Sequence, residues 1–549
     1  MLIETLLPIL AGILVIVFAH SLSRRIGVAG PLVLVAIGLL GSMIPALAEF
    51  SVPPDVVLIG VLPPLLYSAA VSAPAIEFRR DFGAIGGLSV VLVVISSLVL
   101  GLVFFWMVPG LGFPFAVALG AILSPTDAVA TSMARSLGLP NRVVTVLEGE
   151  SLVNDASALV ILRTAIVAAA SGFSLGAAVG AFVWSVVVAV VIGAVVGAIA
   201  LWLRARTSSA VGNTAIGFTV PYLAYVPADE LGGSGLVAAV IAGLVCGQGA
   251  LRWLTPEQRA SDKLNWATIE FVLEGAIFLF MGLQLTDILA DNIAHHEGVG
   301  RGVLLAALAF GVVIIVRGLY VMPMMRIHNV RMQRKLRARL RGRIQRSPRR
   351  LGRVHADIDY FDSSPLTWKH NTVIVWAGMR GAVTLAAAQT LPEDTPERSL
   401  LIFIAFLVAT GSLLLQGLTL PLLVRLLGLG TKADKGPPHA EIREIGEKLQ
   451  AAVQAALAEG DVSRPDNTPF EPELHARSRS WITMPLDADD ELSRADVLSF
   501  ELALITIMRT HLHQLGRSGW HSSSALRYVL EELDAYEISV KLYLESERH

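Results

Sequence analysis

Two stretches of this chain place carboxylates inside apolar sequence, and they decide the fold. The first is Phe115-Ala-Val-Ala-Leu-Gly-Ala-Ile-Leu-Ser-Pro-Thr-Asp127-Ala-Val-Ala130, and the second is Glu148-Gly-Glu-Ser-Leu-Val-Asn-Asp155. A charged side chain at the centre of a bilayer costs about 3 kcal/mol on insertion scales. Acids in such a place therefore indicate a path for ions or protons, unless a partner accounts for them.

The composition around these stretches is that of a membrane protein. The 549 residues are 54% hydrophobic and 16% charged, and the mean hydropathy is +0.64. Soluble domains carry about 25% charged residues. We therefore predict an all-α polytopic membrane protein. The N-terminus lacks a basic region and a cleavage site and is interpreted as the first span. The single cysteine, Cys246, excludes an intramolecular disulfide.

Hydropathy predicts about thirteen transmembrane helices. They cover approximately residues 3–21, 27–47, 54–72, 84–109, 113–135, 147–171, 176–204, 212–227, 232–250, 266–290, 301–324, 371–391 and 399–427. Loops rich in arginine alternate with acidic loops along the chain. Because an excess of Lys and Arg marks the cytoplasmic side, we predict a cell-membrane protein with its N-terminus outside and its C-terminus inside.

Residues 1–428 form the predicted membrane domain, and 429–549 form a cytoplasmic helical domain that could be regulatory. Its predicted helices lie near 439–459, 489–515 and 522–547, with a linker over 460–487. The basic stretch 326–353 is predicted to begin as a helix on the inner leaflet, where anionic lipid attracts basic side chains. The alternative for this stretch is a solvated loop without a specific partner.

The span over 147–171 groups its polar residues by helical spacing. Ser151 and Asp155 lie four residues apart on one stripe, and Glu150 and Asn154 lie on the neighbouring stripe. A hydroxyl and a carboxylate are oxygen ligands suited to a hard cation. The alternative is a polar seam between helices. Four polar residues in five positions, two of them acidic, favour the functional interpretation.

Two breaks are predicted inside spans. Pro125 interrupts the fifth span next to Asp127, and broken helices at membrane depth are tolerated where they line a cavity. Asp127 could also cap the second half-helix. Gly378-Met-Arg380-Gly381 marks a second break in the twelfth span. Interrupted spans in corresponding positions indicate inverted repeats with the site between them. A buried arginine needs a carboxylate, and we predict that Arg380 pairs with Glu150.

Other polar residues are less informative. Arg163 is predicted to form a structural ion pair, and either Glu270 or Glu274 could serve it. No metal-ligand spacing, phosphate loop or nucleophile constellation is present, so neither an enzyme nor a cofactor is expected. The basic loop lacks interleaved aromatic residues, so nucleic acid is not an expected partner.

Several motifs resemble the monovalent cation/proton antiporters, in particular the NhaP-like branch related to animal sodium/proton exchangers. The resemblance covers roughly residues 1–428. Its most specific motifs are the Thr126-Asp127 break and the Asn154-Asp155 pair. Supporting motifs are Leu62-Pro63-Pro64, Phe278-Leu-Phe-Met-Gly-Leu283, Gly378-Met-Arg-Gly-Ala-Val383 and Gln416-Gly-Leu-Thr-Leu-Pro421.

The resemblance implies a thirteen-span fold with a core domain of crossing broken helices and a dimerisation domain. It implies that Asp155 carries either a cation or a proton, that Thr126, Asp127 and Ser151 shape the monovalent cation site, and that Glu150 and Arg380 form a structural pair. The Asn-Asp motif implies electroneutral one-for-one exchange. In two places the chain departs from the family pattern, because Ser68 stands where many members have an acid and Glu274 where many have asparagine.

The expected function is secondary active exchange of a monovalent cation, Na⁺ before K⁺ or Li⁺, for H⁺. A homodimer in the lipid bilayer is expected. The alternatives are a K⁺/H⁺ antiporter, an uncoupled channel or uniporter, and a membrane sensor that signals through its tail.

Overall fold

The computed structural model describes residues 2–44, 53–171, 175–294, 298–342, 357–358, 360–361, 365–429, 439–460, 462–464, 468–470, 474, 494–518 and 520–546. These residues are helical apart from short connections and one isolated bridge between Ser463 and Pro469. The α-helices are α1 (Leu2–Ile26), α2 (Gly30–Gly41), α3 (Leu62–Ser72), α4 (Ala75–Arg80), α5 (Phe82–Gly86), α6 (Val93–Met107), α7 (Phe113–Leu123), α8 (Val129–Ser136), α9 (Asn141–Ser171), α10 (Leu175–Arg204), α11 (Ala210–Glu230), α12 (Gly235–Trp253), α13 (Pro256–Leu283), α14 (Leu285–Ala294), α15 (Val299–Gly342), α16 (Trp368–Trp376), α17 (Ala382–Gln389), α18 (Arg398–Leu426), α19 (His439–Glu459), α20 (Arg494–Ser518) and α21 (Ser523–Ser546). Two π-helical segments, Val56–Val61 and Gly87–Leu92, precede α3 and α6.

The helices are long and apolar enough for a multi-span membrane protein. Among the described residues, eight helical stretches could cross a bilayer by length and composition: Ile9–Ile26, Phe82–Met107, Asn141–Ala170, Val179–Arg204, Gly235–Trp253, Pro256–Ile293, Val299–Met332 and Arg398–Leu426. Shorter apolar helices lie at Gly30–Gly41, Val56–Ser72 and Phe113–Leu123. The predicted all-α class is confirmed, and the count of thirteen spans stays a prediction.

Both predicted helix breaks are present. The first lies between the end of α7 at Leu123 and the start of α8 at Val129, and the second between the end of α16 at Trp376 and the start of α17 at Ala382. Pro125 has no backbone N–H to continue the first helix. The breaks leave free backbone groups deep in the membrane domain, and these groups need partners inside the protein.

Helix α13 begins at Pro256, well before the predicted span start at 266. The Oγ1 of Thr255 accepts a hydrogen bond from the backbone N–H of Gln258 at 3.3 Å, and the Oε1 of Gln258 accepts one from the backbone N–H of Thr255 at 3.0 Å. This reciprocal capping box starts the helix in polar sequence. Hydropathy finds only the apolar part of a helix and therefore misses these first turns.

The membrane helices pack as two groups. Helices α1–α3 and α10–α13 pack chiefly with one another, and we call them the scaffold group. Helices α5–α9 and α15–α18 form the core group. We call the ends of the membrane helices that carry Arg24, Arg79, Arg135 and Arg259 the basic face, and the opposite ends the acidic face. Helices α7 and α9 of the core group pack closely, which places the first break beside the polar stretch of α9.

The C-terminal helices α19, α20 and α21 pack around a hydrophobic cluster of their own, close to the predicted bounds. Val497, Leu504 and Leu530 are buried in it. The predicted linker over 460–487 lies largely outside the described residues, but Val462 and Phe470 of that stretch are buried in the same cluster.

Helix α15 is a single helix of 44 residues, about 66 Å long at 1.5 Å per residue. The basic helix predicted from residue 326 is therefore the continuation of the preceding span. Residues 343–356 of the basic stretch lie outside the described residues.

Candidate functional site

The two helix breaks touch each other. The backbone N–H of Asp127, in the first break, donates to the carbonyl oxygen of Met379, in the second, at 2.8 Å. The Oδ1 of Asp127 accepts from the backbone N–H of Val129, the first residue of α8, at 3.3 Å. A negative charge is favourable at a helix N-terminus. The N-cap residue of α8 is Ala128 rather than Asp127, but the bond to Val129 still fixes the Asp127 carboxylate at the crossing point.

Arg380, in the second break, binds backbone carbonyl oxygens at the end of α7. Its Nε donates to the carbonyl oxygen of Leu123 at 3.0 Å and its Nη2 to that of Ser124 at 3.3 Å, while Nη1 donates to the carbonyl of Gly378. The side chain is buried. The last carbonyls of a helix lack partners and carry partial negative charge. The guanidinium therefore neutralises the C-terminal end of α7.

The predicted pairing of Glu150 with Arg380 is wrong, because the structure pairs Glu150 with Arg317 of α15. The Nη2 of Arg317 donates to the Oε2 of Glu150 at 2.7 Å, and Nη1 donates to Oε1. The Nε and Nη2 of Arg317 also donate to the carbonyl oxygen of Ile374 at 3.2 and 3.0 Å. The two charged side chains are 3% and 2% exposed, so this is a fully buried, bidentate ion pair.

Sequence reasoning missed Arg317, although a signal was available. Arg317 is the one charged residue between Arg301 and Arg326. A lone charge in an apolar span marks a functional or structural role by itself. Gly378 makes room for this side chain, because a Cβ at that position would lie 2.6 Å from the Nε of Arg317.

Glu150 also begins a chain of polar contacts on α9. The Oγ1 of Thr126 donates to the Oε1 of Glu150 at 3.2 Å. The Nδ2 of Asn154 donates to the Oγ1 and the carbonyl oxygen of Thr126 at 2.8 and 3.2 Å. The Oδ1 of Asn154 is buried and has no hydrogen-bond partner among the described residues. This chain fastens α9 to the first break and leaves one amide oxygen open as a ligand.

Asp155 follows Asn154 on α9, one turn beyond Ser151, and is 7% exposed. Within the described part of the chain its carboxylate has no hydrogen bond or ion pair, and the like charge of Asp127 acts on it electrostatically. Ser151, also buried, donates its hydroxyl to the carbonyl oxygen of Glu148 at 3.1 Å, which leaves its oxygen lone pairs as acceptors. The predicted residues thus form one neighbourhood in which oxygen acceptors outnumber donors.

A stripe of exposed residues runs along α8 from the first break to the basic face. Ala128, Ser132 and Arg135 are exposed and follow one side of α8 from Asp127 toward its end. Arg135 forms an ion pair with Glu148 of α9.

Two acids of the scaffold group, Glu270 and Glu274, lie on α13, and Glu274 is near enough to the first break to sense the charge of Asp127. The Oγ of Ser68 donates to the Oε2 of Glu270 at 3.1 Å. Glu274 lies one turn beyond Glu270 on α13, and the charges of Asp127 and Glu270 act on it. Neither acid pairs with Arg163, contrary to one option left open by the sequence.

Arg163 instead pairs with Asp229 of the scaffold group, Nη1 to Oδ1 at 2.8 Å. The pair lines a cavity of about 670 Å³ at the acidic face, together with Tyr225 and Leu159. Leu159 lies one turn from Asp155 on α9. The cavity therefore reaches to within one helical turn of Asp155 along α9.

This arrangement has known relatives. A family model described as sodium/hydrogen exchanger, transmembrane, matches residues 12–426, which include both breaks and the whole polar chain. The chain belongs to the sodium/hydrogen exchanger family.

Individual relatives match this exchanger-family chain over most of their length, and a solved structure shares its fold. The uncharacterised Na⁺/H⁺ exchanger Rv2287 of Mycobacterium tuberculosis is 31% identical over 464 residues, covering 82% of this chain and 79% of the relative. The uncharacterised Na⁺/H⁺ exchanger YjcE of Escherichia coli is 28% identical, covering 92% and 93%. The structure of the sodium proton antiporter MjNhaP1 from Methanocaldococcus jannaschii at pH 8 matches with a TM-score of 0.58 at 18% identity, over 78% of this chain and 99% of that chain. The predicted NhaP-like resemblance is confirmed.

Proposed function

We propose that this chain exchanges one monovalent cation, Na⁺, for one H⁺ across the membrane, and that both compete for Asp155. The observation that carries the proposal is the buried Asp155 carboxylate, which has no bonded partner among the described residues and lies next to the crossing of two broken helices. A buried carboxylate without a partner is unfavourable while it is charged. Either a bound cation or a proton removes that cost, so the two ligands exclude each other.

Asp127, Thr126, Ser151 and Asn154 complete the proposed cation site. Carboxylate, hydroxyl and amide oxygens are the ligands that hard cations prefer. Asp127 is held in place by its hydrogen bond from Val129 at the start of α8, so it can approach a cation without leaving the crossing. The Glu150–Arg317 pair is neutral as a unit and holds α9, so it supports the site without binding the transported ion.

The coupling follows from electrostatics. A core group loaded with a cation or a proton is neutral at Asp155 and can move against the scaffold group, which exposes the site to the opposite face. An empty site would carry its charge past an apolar barrier, which is strongly disfavoured. Asn154 replaces the second acid that a two-proton exchanger would need. We therefore propose electroneutral exchange with one charge carried each way.

Topology and assembly belong to the same proposal. The basic face would be cytoplasmic in the cell membrane, which leaves the N-terminus outside and places helices α19–α21 inside. The chain would form a homodimer through its scaffold group, and the arginines of 326–353 would contact anionic lipid. The cellular role would be control of sodium and pH.

The names of relatives do not agree on which monovalent cation is exchanged for H⁺. A relative from Bacillus pumilus that is 28% identical over 83% of this chain is named a sodium, potassium, lithium and rubidium/H⁺ antiporter. A relative from Aphanothece halophytica that is 28% identical over 74% is named a Na⁺/H⁺ antiporter. K⁺ and Li⁺ are therefore the alternative substrates to compare with Na⁺.

Purified protein in liposomes that hold a pH gradient tests the function directly. Addition of Na⁺ should dissipate the gradient, while a potential-sensitive dye should record no change in membrane potential. Protein-free liposomes are the control, and equal concentrations of K⁺ and Li⁺ give the selectivity. Cation flux that proceeds equally well without proton movement would favour the channel or uniporter and overturn the proposal.

Gly381→Ala should reduce exchange by at least about tenfold, because a Cβ at this position would collide with the carboxylate of Asp127. Initial rates of Na⁺-driven pH change measure the effect. Gly411→Ala is the matched control, since a Cβ at Gly411 meets no atom within 4 Å. Equal rates for the two variants would contradict the placement of Asp127 in the site.

A further inference from the structure

The C-terminal helices dock on the basic face of the scaffold group. The Nε and Nη2 of Arg259, near the start of α13, donate to the Oδ2 and Oδ1 of Asp534 on α21 at 2.8 and 2.5 Å. These two side chains are 12% and 10% exposed. Lys263 pairs with Glu531 at 2.8 Å, which adds a more exposed contact. A buried bidentate pair with a second pair one turn away fixes α21 on α13.

The same helix also holds the segment that leads from the scaffold group to the core group. The backbone N–H of Ser523 donates to the Oε1 of Glu77 at 2.8 Å, and its Oγ accepts from the backbone N–H of Ile76 at 3.4 Å. The Nη1 of Arg527 donates to the carbonyl oxygen of Ser72 at 2.8 Å. Residues 73–81 connect α3 of the scaffold to α5 of the core, and α4 within them packs on α9.

The start of α21 is itself held in place by α19. The carboxylate of Glu441 accepts from the backbone N–H and the Oγ of Ser522 at 2.6 and 2.8 Å. Burial alone would raise the pKa of Glu441, but the His521 imidazole, 3.7 Å away, and the hydrogen bonds from Ser522 lower it below its ordinary value of 4.5. A lowered pKa stabilises the contact above that value and loses the stabilisation as the pH falls through and below it. The contact is therefore complete at neutral pH.

We propose that α21 is a brake: it ties the connection between scaffold and core to the scaffold, and so holds the core group in the position seen here. The proposal rests on the exchange activity proposed above. Alternating access requires α9 to move relative to α13. Because α21 binds α13 directly and contacts α4, which packs on α9, each cycle must break or stretch these contacts. Releasing α21 from Glu77 and Ser72 then favours faster exchange.

Reversible cross-linking in the full chain tests the brake. In a Cys246→Ser background, the pair Ile76→Cys and Ser523→Cys is oxidised or joined by a short thiol cross-linker. Exchange should fall at least about tenfold when the pair is joined and return on reduction. The control pair Arg464→Cys and Asp496→Cys joins residue 464 to the start of α20 within the C-terminal domain, where the native side chains form an ion pair at 2.6 Å, and it should leave the rate unchanged.

A second variant tests the release. Arg527→Ala should raise the exchange rate by about fivefold, the factor that corresponds to one hydrogen bond. Glu532→Ala, at an exposed position of the same helix, is the matched control. Full exchange in the joined 76–523 pair, failure of that pair to join, or an unchanged rate for Arg527→Ala would each overturn the brake. Absence of exchange in the unmodified chain would instead overturn the proposed function, so the two failures are distinguishable.

Discussion

Asp155→Asn is expected to abolish exchange, with the initial rate of Na⁺-driven pH change reduced at least about 100-fold. Asparagine has nearly the shape of aspartate, but it carries no charge to attract a cation and no proton to release. The protein should still fold and insert, because the change removes a buried charge that has no bonded partner among the described residues. Its melting temperature in detergent should equal or exceed that of the unmodified chain.

Glu393→Gln is the matched control for this result. It removes one carboxylate from an exposed position on the acidic face and should leave the rate unchanged. If Asp155→Asn protein of normal stability still coupled Na⁺ entry to H⁺ exit, the carrier would have to be another group, and Asp127 would be the next residue to replace.

Arg317→Met is expected to lower the free energy of unfolding by about 3–5 kcal/mol, the loss typical when one partner of a buried ion pair is removed. The cause is the stranded carboxylate of Glu150, which is 2% exposed at its side chain. Thermal denaturation in detergent measures the loss. Adding Glu150→Gln to Arg317→Met should restore part of the stability, because the amide is neutral and still accepts from Thr126.

Arg380→Met distinguishes the role of Arg380 from that of Arg317, because Glu150→Gln is not expected to restore its stability. Loss of the Arg380 guanidinium leaves the carbonyl oxygens of Leu123 and Ser124 without these donors, and no change at Glu150 can restore those contacts. Adding Glu150→Gln should therefore destabilise the protein further, since it also leaves Arg317 without its carboxylate. Rescue of Arg380→Met by Glu150→Gln would revive the pairing predicted from sequence and contradict the one described here.

The success and failure of the sequence predictions have one physical origin. Both helix breaks and the polar stripe around Asp155 were predictable, because proline, glycine and four-residue spacing act locally. The partner of Glu150 was not, because Arg317 lies 167 residues away. The pairing predicted for Arg380 was wrong for a related reason. Its partners are backbone carbonyls, which every residue has, so no residue type in the sequence marks them.

Two further structural features could not be predicted from the sequence, for different reasons. The early start of α13 depends on the Thr255–Gln258 capping box, which lies in polar sequence that hydropathy assigns to a loop. The docking of α21 depends on Arg259 and Asp534, which stand 275 residues apart in regions that composition describes only as charged. Both involve specific hydrogen bonds, whereas hydrophobic pattern determines only which segments enter the membrane.

The length of α15 has a mechanical consequence. A hydrocarbon core is about 30 Å thick, so roughly half of this helix projects beyond it. Arg317, clamped to Glu150, is its fixed point within the bilayer, and about 38 Å of continuous helix separates that point from Gly342. A rotation of only about 10° at the ion pair would sweep the arginine-rich tip through roughly 7 Å. Small rearrangements at the centre of the protein thus become large displacements at the basic face, where charged lipids and other proteins can sense them.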